Sequence, residues 1–359
     1  MYLSKFGSRA CLGIATAVVL ASCGDGAVEL EDSGVNLGPD SGAGRIDSGV
    51  VKPSTDAGVS VDAGASVDAG ASVDAGASKD AGVPVDAGTA PACTGKPGSQ
   101  RGKVQASVMV AGTTRTFIYY APERIVPNSP VPLVISPHGF AMTAEDMYTL
   151  TGFKEIADRE GFVAIFPNGN DVAPWNVGTG VSGVGALVDN SLANDQGFMD
   201  AMIQYAEADQ CIDTNHIFAS GFSMGGYFSN EIGCLRRDIA SVGPHSGGSH
   251  DLSACTGSIK PIILFHGDAD LLITYNENGV LSRDRWVARN GCGTEVDSHP
   301  VNGGTCDYNR GCPAHAQVAL CHFDGMAHAW AGGLGKTNSD PNRENAAELA
   351  WKFWKTYAW

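Results

Sequence analysis

The sequence predicts an α/β fold with a mostly parallel central sheet and helices on both faces. From residue 93 onward, short apolar segments alternate with longer amphipathic segments, the pattern of strands joined by crossover helices. Residues 132–136 (PLVIS) and 261–265 (PIILF) are continuously apolar, as expected of strands buried on both faces. Loops at the carboxyl ends of such strands are where functional residues are expected.

The elements follow in chain order. Residues 104–110 and 116–120 flank the turn Ala111-Gly112 and predict two antiparallel strands. Further strands are predicted at 132–136, 162–166, 216–220, 261–265 and 318–323. Helices are predicted between them, at 143–159, 193–208, 224–236, 276–289 and 342–357.

Composition excludes some functions. The chain has 359 residues, 23 Lys and Arg against 39 Asp and Glu, and a net charge of −16. Such an acidic chain is poorly suited to bind phosphate backbones, so no nucleic-acid partner is expected. Ten cysteines without a CxxC pair favour an oxidising compartment over zinc. A metal site among the cysteines and histidines of 306–322 is the alternative, but the segment lacks repeated ligand spacing.

The amino-terminal segment predicts export. Lys5 and Arg9 precede an apolar run at 10–20, which is too short to span a bilayer and typical of a signal peptide. The segment LASC, ending in Cys23, resembles a bacterial lipobox. We therefore expect a signal peptide over residues 1–22 and a lipid on Cys23 that tethers the protein to a membrane. An ordinary signal with an incidental cysteine is the alternative.

A low-complexity segment follows. Between residues 24 and 92 there is no aromatic residue, and Asp-Ala-Gly recurs every six residues from Asp56 to Asp86. Small residues and like charges bury too little apolar surface to fold, so we expect a disordered linker over 23–92 and a globular domain over 93–359. A solenoid or a calcium-binding turn array is disfavoured, because the repeat offers no hydrophobic ladder and few ligands.

The strongest functional motif is GFSMG at 221–225, the only G-x-S-x-G in the chain. It follows a predicted strand and begins a predicted helix, the context in which this motif presents a nucleophilic serine. A sharp strand-to-helix turn requires small neighbours, which Gly221, Gly225 and Gly226 supply. Ser223 is therefore the candidate nucleophile, and a glycine-rich turn with an incidental serine is the alternative.

A serine nucleophile needs a general base. His328 lies in a loop after the last predicted strand and is the candidate. His138 and His266 each precede glycine at a strand end and are expected to brace loops. His322 falls within a strand and is expected to pack there.

The base in turn needs an acid that orients it. Asp268 and Asp270 both follow the strand at 261–265, and spacing alone does not separate them. The order serine, acid, histidine is that of α/β-hydrolases. The backbone amides of Phe140 and Met224 are the candidate oxyanion donors.

Several motifs together resemble a family. FPNG at 166–169, GFSMGG at 221–226, HGDAD at 266–270 and HAW at 328–330 are similar to secreted feruloyl esterases and polyhydroxybutyrate depolymerase-like esterases. The resemblance covers about residues 93–357. It implies the α/β-hydrolase fold, a triad of Ser223, Asp270 and His328, and no cofactor or metal.

The resemblance also implies secondary features. Trp175 and Trp330 are expected at the substrate, although core packing is the alternative for Trp175. Ser136-Pro137 stands where the family has an apolar residue before its histidine, which could reshape the oxyanion loop. The disulfides that the resemblance suggests are Cys211–Cys234, Cys292–Cys312, Cys93–Cys255 and Cys306–Cys321.

These observations predict an extracytoplasmic, lipid-anchored serine carboxylesterase that is a monomer. Its expected substrates are feruloyl, other hydroxycinnamoyl or acetyl esters of plant cell-wall polysaccharide. A polyhydroxyalkanoate depolymerase is the nearest alternative. A serine peptidase and a non-catalytic binding lipoprotein remain further alternatives, since a triad alone does not distinguish esters from amides.

Overall fold

The computed structural model describes residues 93–170, 174–177 and 194–359. The predicted signal peptide, Cys23 and the repeat region up to residue 92 lie outside the described residues. Among the described helices, none combines the length and apolarity needed to cross a membrane.

The described elements begin with a hairpin and then alternate strands with helices. The strands are β1 (Gly102–Val110), β2 (Thr113–Ala121), β3 (Val131–Ile135), β4 (Val163–Pro167), β5 (Ile212–Ala219), β6 (Ser241–Val242), β7 (Ile262–Gly267), β8 (Val296–Val301), β9 (Gly304–Asn309), β10 (Val318–Phe323), β11 (Trp330–Ala331) and β12 (Ser339–Asp340). The α-helices are α1 (Ala144–Leu150), α2 (Phe153–Glu160), α3 (Asp195–Asp209), α4 (Met224–Leu235), α5 (Leu281–Asn290) and α6 (Ala346–Tyr357).

Ten strands form one sheet in the order β1-β2-β4-β3-β5-β6-β7-β10-β9-β8. The six central strands, from β4 to β10, are parallel. The hairpin β1–β2 extends the sheet beyond β4, and the hairpin β8–β9 extends it beyond β10. The strands in both hairpins pair in antiparallel orientation, and so do the hairpins with the parallel strands next to them. The prediction of a mostly parallel central sheet is confirmed.

Apolar side chains cover both faces of the sheet. On β4, Val163 and Ile165 belong to one buried cluster, while Ala164 and Phe166 belong to the other, because successive side chains of a strand point to opposite faces. Helices α3, α4 and α5 contribute to the first cluster, and α1, α2 and α6 to the second. The predicted helices on both faces are therefore confirmed.

Some local predictions differ from the structure. The helix expected over 276–289 is a π-helical segment at Tyr275–Val280 followed by α5. The helix expected over 143–159 is two helices, because Gly152 adopts a left-handed conformation with φ of 84° and is the N-cap of α2. The β8–β9 hairpin was not predicted. Its edge strand β8 is mostly exposed, so it carries no alternation of apolar and polar residues.

The disulfide pairing corrects two of the four expected bridges. Cys292–Cys312 and Cys306–Cys321 are present as expected. The expected Cys211–Cys234 and Cys93–Cys255 are wrong, because the structure instead contains Cys93–Cys211 and Cys234–Cys255.

Local packing explains the corrected pairing. The segment after Cys93 runs along the end of α3, where the Gly98 N–H donates to the Asp209 carbonyl at 2.8 Å, which brings Cys93 to Cys211. The Gly257 N–H donates to the Cys234 carbonyl at 2.8 Å, so the loop containing Cys255 lies against the end of α4. Four disulfides fit an oxidising, extracytoplasmic compartment.

Candidate active site

Ser223 lies in a sharp turn between β5 and α4. Its backbone has φ of 56° and ψ of −117°, a strained conformation for a residue with a side chain. Hydrogen bonds on both sides hold the turn: the Phe222 N–H donates to the Pro137 carbonyl at 3.2 Å, and the Ser223 N–H donates to the His245 carbonyl at 2.9 Å. The structure therefore has the nucleophile-elbow geometry that the motif predicts.

The glycines of the motif are required by close packing. A Cβ at Gly225 would lie 2.0 Å from the Pro137 carbonyl oxygen, and one at Gly221 would lie 2.4 Å from the Gly225 carbonyl oxygen. Any larger residue at either position would displace backbone. The two glycines thus allow the loop after β3 to pack directly on the elbow.

The loop after β3 lies beside the serine. A Cβ at Gly139 would be 3.1 Å from the Ser223 Cβ, so the following amide, that of Phe140, belongs to the immediate surroundings of Ser223. Met224 is the first residue of α4, where helix N–H groups have no intrahelical acceptor. The unusual Ser136 has a structural explanation, because its hydroxyl donates to the Ser220 carbonyl at 2.7 Å and ties the two loops together.

Asp270 and His328 form a hydrogen-bonded pair. His328 Nδ1 lies 2.6 Å from Asp270 Oδ2. The Asp270 side chain is buried, and its Oδ1 accepts the N–H groups of Leu272 at 3.0 Å and Ile273 at 2.8 Å. Because the carboxylate is fixed by the backbone, it holds one edge of the imidazole in a defined orientation.

Asp268 does not contact His328. Its Oδ1 accepts the Gly325 N–H at 2.6 Å, which fixes the loop that precedes the histidine. The structure therefore separates the two candidate acids, and only Asp270 contacts the imidazole.

The histidine lies next to the elbow. The ring centroids of His328 and Phe222 are 4.8 Å apart, which places His328 beside the residue that precedes Ser223. Within the described part of the chain, the Ser223 hydroxyl makes no hydrogen bond, with His328 or any other residue. Such catalytic hydrogen bonds are often long without substrate and shorten when it binds.

Two of the other histidines brace loops, as expected. His138 Nε2 accepts the Gly169 N–H at 2.9 Å, and its Nδ1 is 2.7 Å from the Gly139 carbonyl oxygen. His266 Nε2 donates to the Ile273 carbonyl at 2.7 Å. Burial lowers the pKa of both rings, so they act as neutral structural groups.

A further buried histidine, His245, lies beside the elbow and is not among the residues that the sequence singles out. Its Nε2 accepts the Ala331 N–H at 3.0 Å, and its Nδ1 lies 3.0 Å from Ser246 Oγ. Its backbone carbonyl accepts the Ser223 N–H. It therefore connects the nucleophile turn to the segment that follows His328. The signal in the sequence was weak, because PHSG at 244–247 follows a strand of only two residues.

A pH dependence of stability follows from His245. Burial lowers its pKa well below the ordinary value, so below about pH 6.5 the unfolded chain takes up a proton that the folded chain excludes. Stability therefore falls as the pH falls. We expect His245→Gln, which keeps a donor and an acceptor, to reduce the loss of unfolding free energy between pH 7.5 and 5 by about 1–2 kcal/mol. Urea unfolding at both pH values measures this.

The matched control for that measurement is His299→Gln, which changes an exposed histidine of β8. This control should keep the pH dependence of the unmodified protein, because its side chain is exposed on the edge strand. An equal loss of unfolding free energy between pH 7.5 and 5 in all three proteins would contradict the assignment to His245.

The two tryptophans expected at the substrate are both in the core. Trp175 is 1% exposed, donates from Nε1 to the His138 carbonyl at 2.6 Å and stacks on Phe228. Trp330 is fully buried and stacks on His245 with centroids 4.8 Å apart. The expected substrate-binding role of both is therefore corrected to core packing that supports the loops around Ser223.

No group of three His, Cys, Asp or Glu side chains that could hold a metal ion occurs among the described residues.

Comparisons with known proteins point to esterases. No protein-family model matches the chain. A probable feruloyl esterase C from Aspergillus flavus is 30% identical over 211 residues, which cover 54% of this chain and 74% of the relative. A bifunctional acetylxylan esterase/xylanase from Neocallimastix patriciarum is 30% identical over 169 residues, covering 46% of this chain and 23% of that protein. This chain thus matches only about a quarter of the bifunctional relative.

Among solved structures, an acetyl xylan esterase from Aspergillus awamori matches with a TM-score of 0.49 and 15% identity. The match covers 63% of this chain and 94% of that one.

Proposed function

Because the chain belongs to the feruloyl esterase family and is a carboxylic-ester hydrolase, we propose that it is a serine carboxylesterase that cleaves feruloyl, other hydroxycinnamoyl or acetyl esters of plant cell-wall polysaccharide. One observation carries the proposal. A buried carboxylate, that of Asp270, holds His328 at 2.6 Å beside a strained elbow that presents Ser223.

The proposed mechanism follows from these positions. Ser223 Oγ attacks the ester carbonyl carbon while His328 takes its proton, and Asp270 stabilises the imidazolium that forms. The amides of Phe140 and Met224 would donate to the developing oxyanion, which preorganised donors stabilise strongly. The protonated His328 then returns its proton to the leaving alcohol, and water releases the acyl group by the same steps in reverse.

The decisive experiment compares two polymers. We expect the purified protein to release ferulate from feruloylated arabinoxylan and no 3-hydroxybutyrate from polyhydroxybutyrate. The opposite result would identify a polyester depolymerase. Hydrolysis of p-nitroanilides without hydrolysis of esters would select a peptidase, and a protein that no fluorophosphonate probe labels would be a binding lipoprotein.

We also propose that the protein is exported and anchored through a lipid on Cys23. The lipobox-like segment LASC supports the anchor, and the four disulfides support an oxidising compartment. Cys23→Ser should move the protein from the membrane fraction to the soluble fraction in the producing cells. Unchanged membrane association of that variant would remove the anchor from the proposal.

A further inference from the structure

A cavity of about 590 Å³ lies beside the candidate active site. Phe140 lines it, and Phe140 follows Gly139, whose backbone packs on Ser223. The other described walls are the β1–β2 turn and the start of β2, residues 168–170 and 174 after β4, and the residues directly before α1 and α3.

The sheet topology explains why these walls meet. Strand β2 runs antiparallel to β4, with Phe117 opposite Pro167, so the start of β2 lies at the carboxyl end of β4. The Asn168 N–H donates to the Thr116 carbonyl at 2.9 Å and closes this corner. The β1–β2 turn is therefore at the same edge of the sheet as Ser223. Asp270 follows β7, on the other side of the serine in the strand order.

The walls of the cavity that the structure describes are mainly polar and carry no unpaired charge. Four threonines and three asparagines line it, and these side chains offer hydroxyl and amide groups. The one arginine among the described lining residues, Arg115, is paired with the buried Asp195 at 3.0 Å. Burial lowers the pKa of His138, so this ring adds no charge. These described side chains thus favour neither anions nor cations.

Two of the lining side chains have unused hydrogen-bonding capacity. Thr113 is exposed, and neither its hydroxyl nor the Asn170 amide makes a side-chain hydrogen bond with another described residue. Phe140 is 49% exposed and presents an aromatic ring at the rim. Free hydroxyl and amide groups beside an exposed ring suit a ligand with hydroxyl groups on its edges and C–H groups on its faces.

We infer that this cavity binds the neutral sugar chain that carries the ester, so that it is a carbohydrate subsite. The inference rests on the proposed function, which places an ester at Ser223. An aromatic acyl group fits the cavity poorly, because its flat apolar ring would bury hydroxyl and amide groups without satisfying them. Sugar hydroxyls satisfy them, and the volume is within the range of ligand sites.

The test keeps the acyl group constant and changes the alcohol. The double variant Thr113→Val with Asn170→Leu removes the two free polar groups at nearly constant size. We expect the ratio of kcat/KM for a feruloylated arabinoxylo-oligosaccharide to that for methyl ferulate to fall roughly tenfold through KM, the effect of losing two neutral hydrogen bonds. Thr305→Val, on the distant strand β9, is the control and should leave the ratio unchanged.

Two outcomes would overturn the inference. Equal losses on both esters would show that the cavity contacts the acyl group or that the loop has moved, and unchanged kcat/KM on both esters would show that no sugar binds there. A second measurement is independent of ester hydrolysis. Ester-free arabinoxylo-oligosaccharide should bind the Ser223→Ala protein, and the double variant should weaken this binding about tenfold. Wild-type protein that cleaves no feruloyl, other hydroxycinnamoyl or acetyl ester of arabinoxylan would refute the proposed function, whereas this binding measurement would still decide the subsite.

Discussion

We expect Ser223→Ala to fold like the unmodified protein and to lose roughly 10⁴–10⁶ of its kcat on a p-nitrophenyl ester. The substitution removes the attacking oxygen and leaves no described group without a hydrogen-bond partner, because the hydroxyl makes no such bond. Alanine also keeps the same Cβ at the strained φ of 56°, so the turn is no more strained than before. Steady-state kinetics and thermal unfolding together measure both halves of this expectation.

The control for this experiment is Ser253→Ala, which removes an exposed serine hydroxyl from the short 3-10 helix at Leu252–Ala254. It should keep the turnover of the unmodified protein. Fluorophosphonate labelling gives a second readout, since it should disappear with Ser223 and persist in the control. Turnover of Ser223→Ala close to that of the unmodified protein would refute Ser223 as the nucleophile.

The parts of the site that the sequence predicted are those in which local chemistry allows few alternatives. A sharp turn that packs against Pro137 permits only glycine at Gly221 and Gly225, since a Cβ at either would meet backbone oxygen. This steric requirement is visible as a short motif. The alternation of strands and helices likewise reflects burial of both sheet faces, which requires continuous apolar segments.

The features of the site that the sequence does not predict depend on contacts between segments that lie far apart in the chain. His245 acts through its position under the elbow, where it accepts the Ala331 N–H from a segment 86 residues away. Trp175 looked like a substrate contact because of its place after β4, yet its ring packs on Phe228. Large aromatic side chains stabilise a fold most when buried, and sequence position does not show which side of a loop they occupy.

The disulfides were mispredicted for a related reason. Pairing depends on which segments meet in the fold, and the resemblance is only an approximate guide to that. Cys93 and Cys211 are 118 residues apart in sequence, yet their Cα atoms are 5.4 Å apart. Only the contact between the first described residues and the end of α3 reveals this proximity.

The second large effect on activity is expected from substitution of the acid of the triad. Resemblance had favoured Asp270 over Asp268, and the structure gives the physical distinction. Asp270 accepts two backbone N–H groups on Oδ1 and faces His328 with Oδ2, whereas Asp268 supports the loop at Gly325. Substitution of each aspartate by asparagine therefore separates an orienting carboxylate from a structural one two residues away.

We expect Asp270→Asn to lower kcat about 10⁴-fold with little change in KM. Backbone N–H groups at Oδ1 require an oxygen there, so the asparagine would turn its NH₂ toward His328 Nδ1. The histidine would then carry its proton on Nε2, which faces away from the carboxylate, and could no longer accept the proton of Ser223. Asp268→Asn keeps an acceptor for the Gly325 N–H and should retain most activity. A larger loss in Asp268→Asn than in Asp270→Asn would move the acid to Asp268. Equal small losses would mean that His328 needs no carboxylate to act as the base.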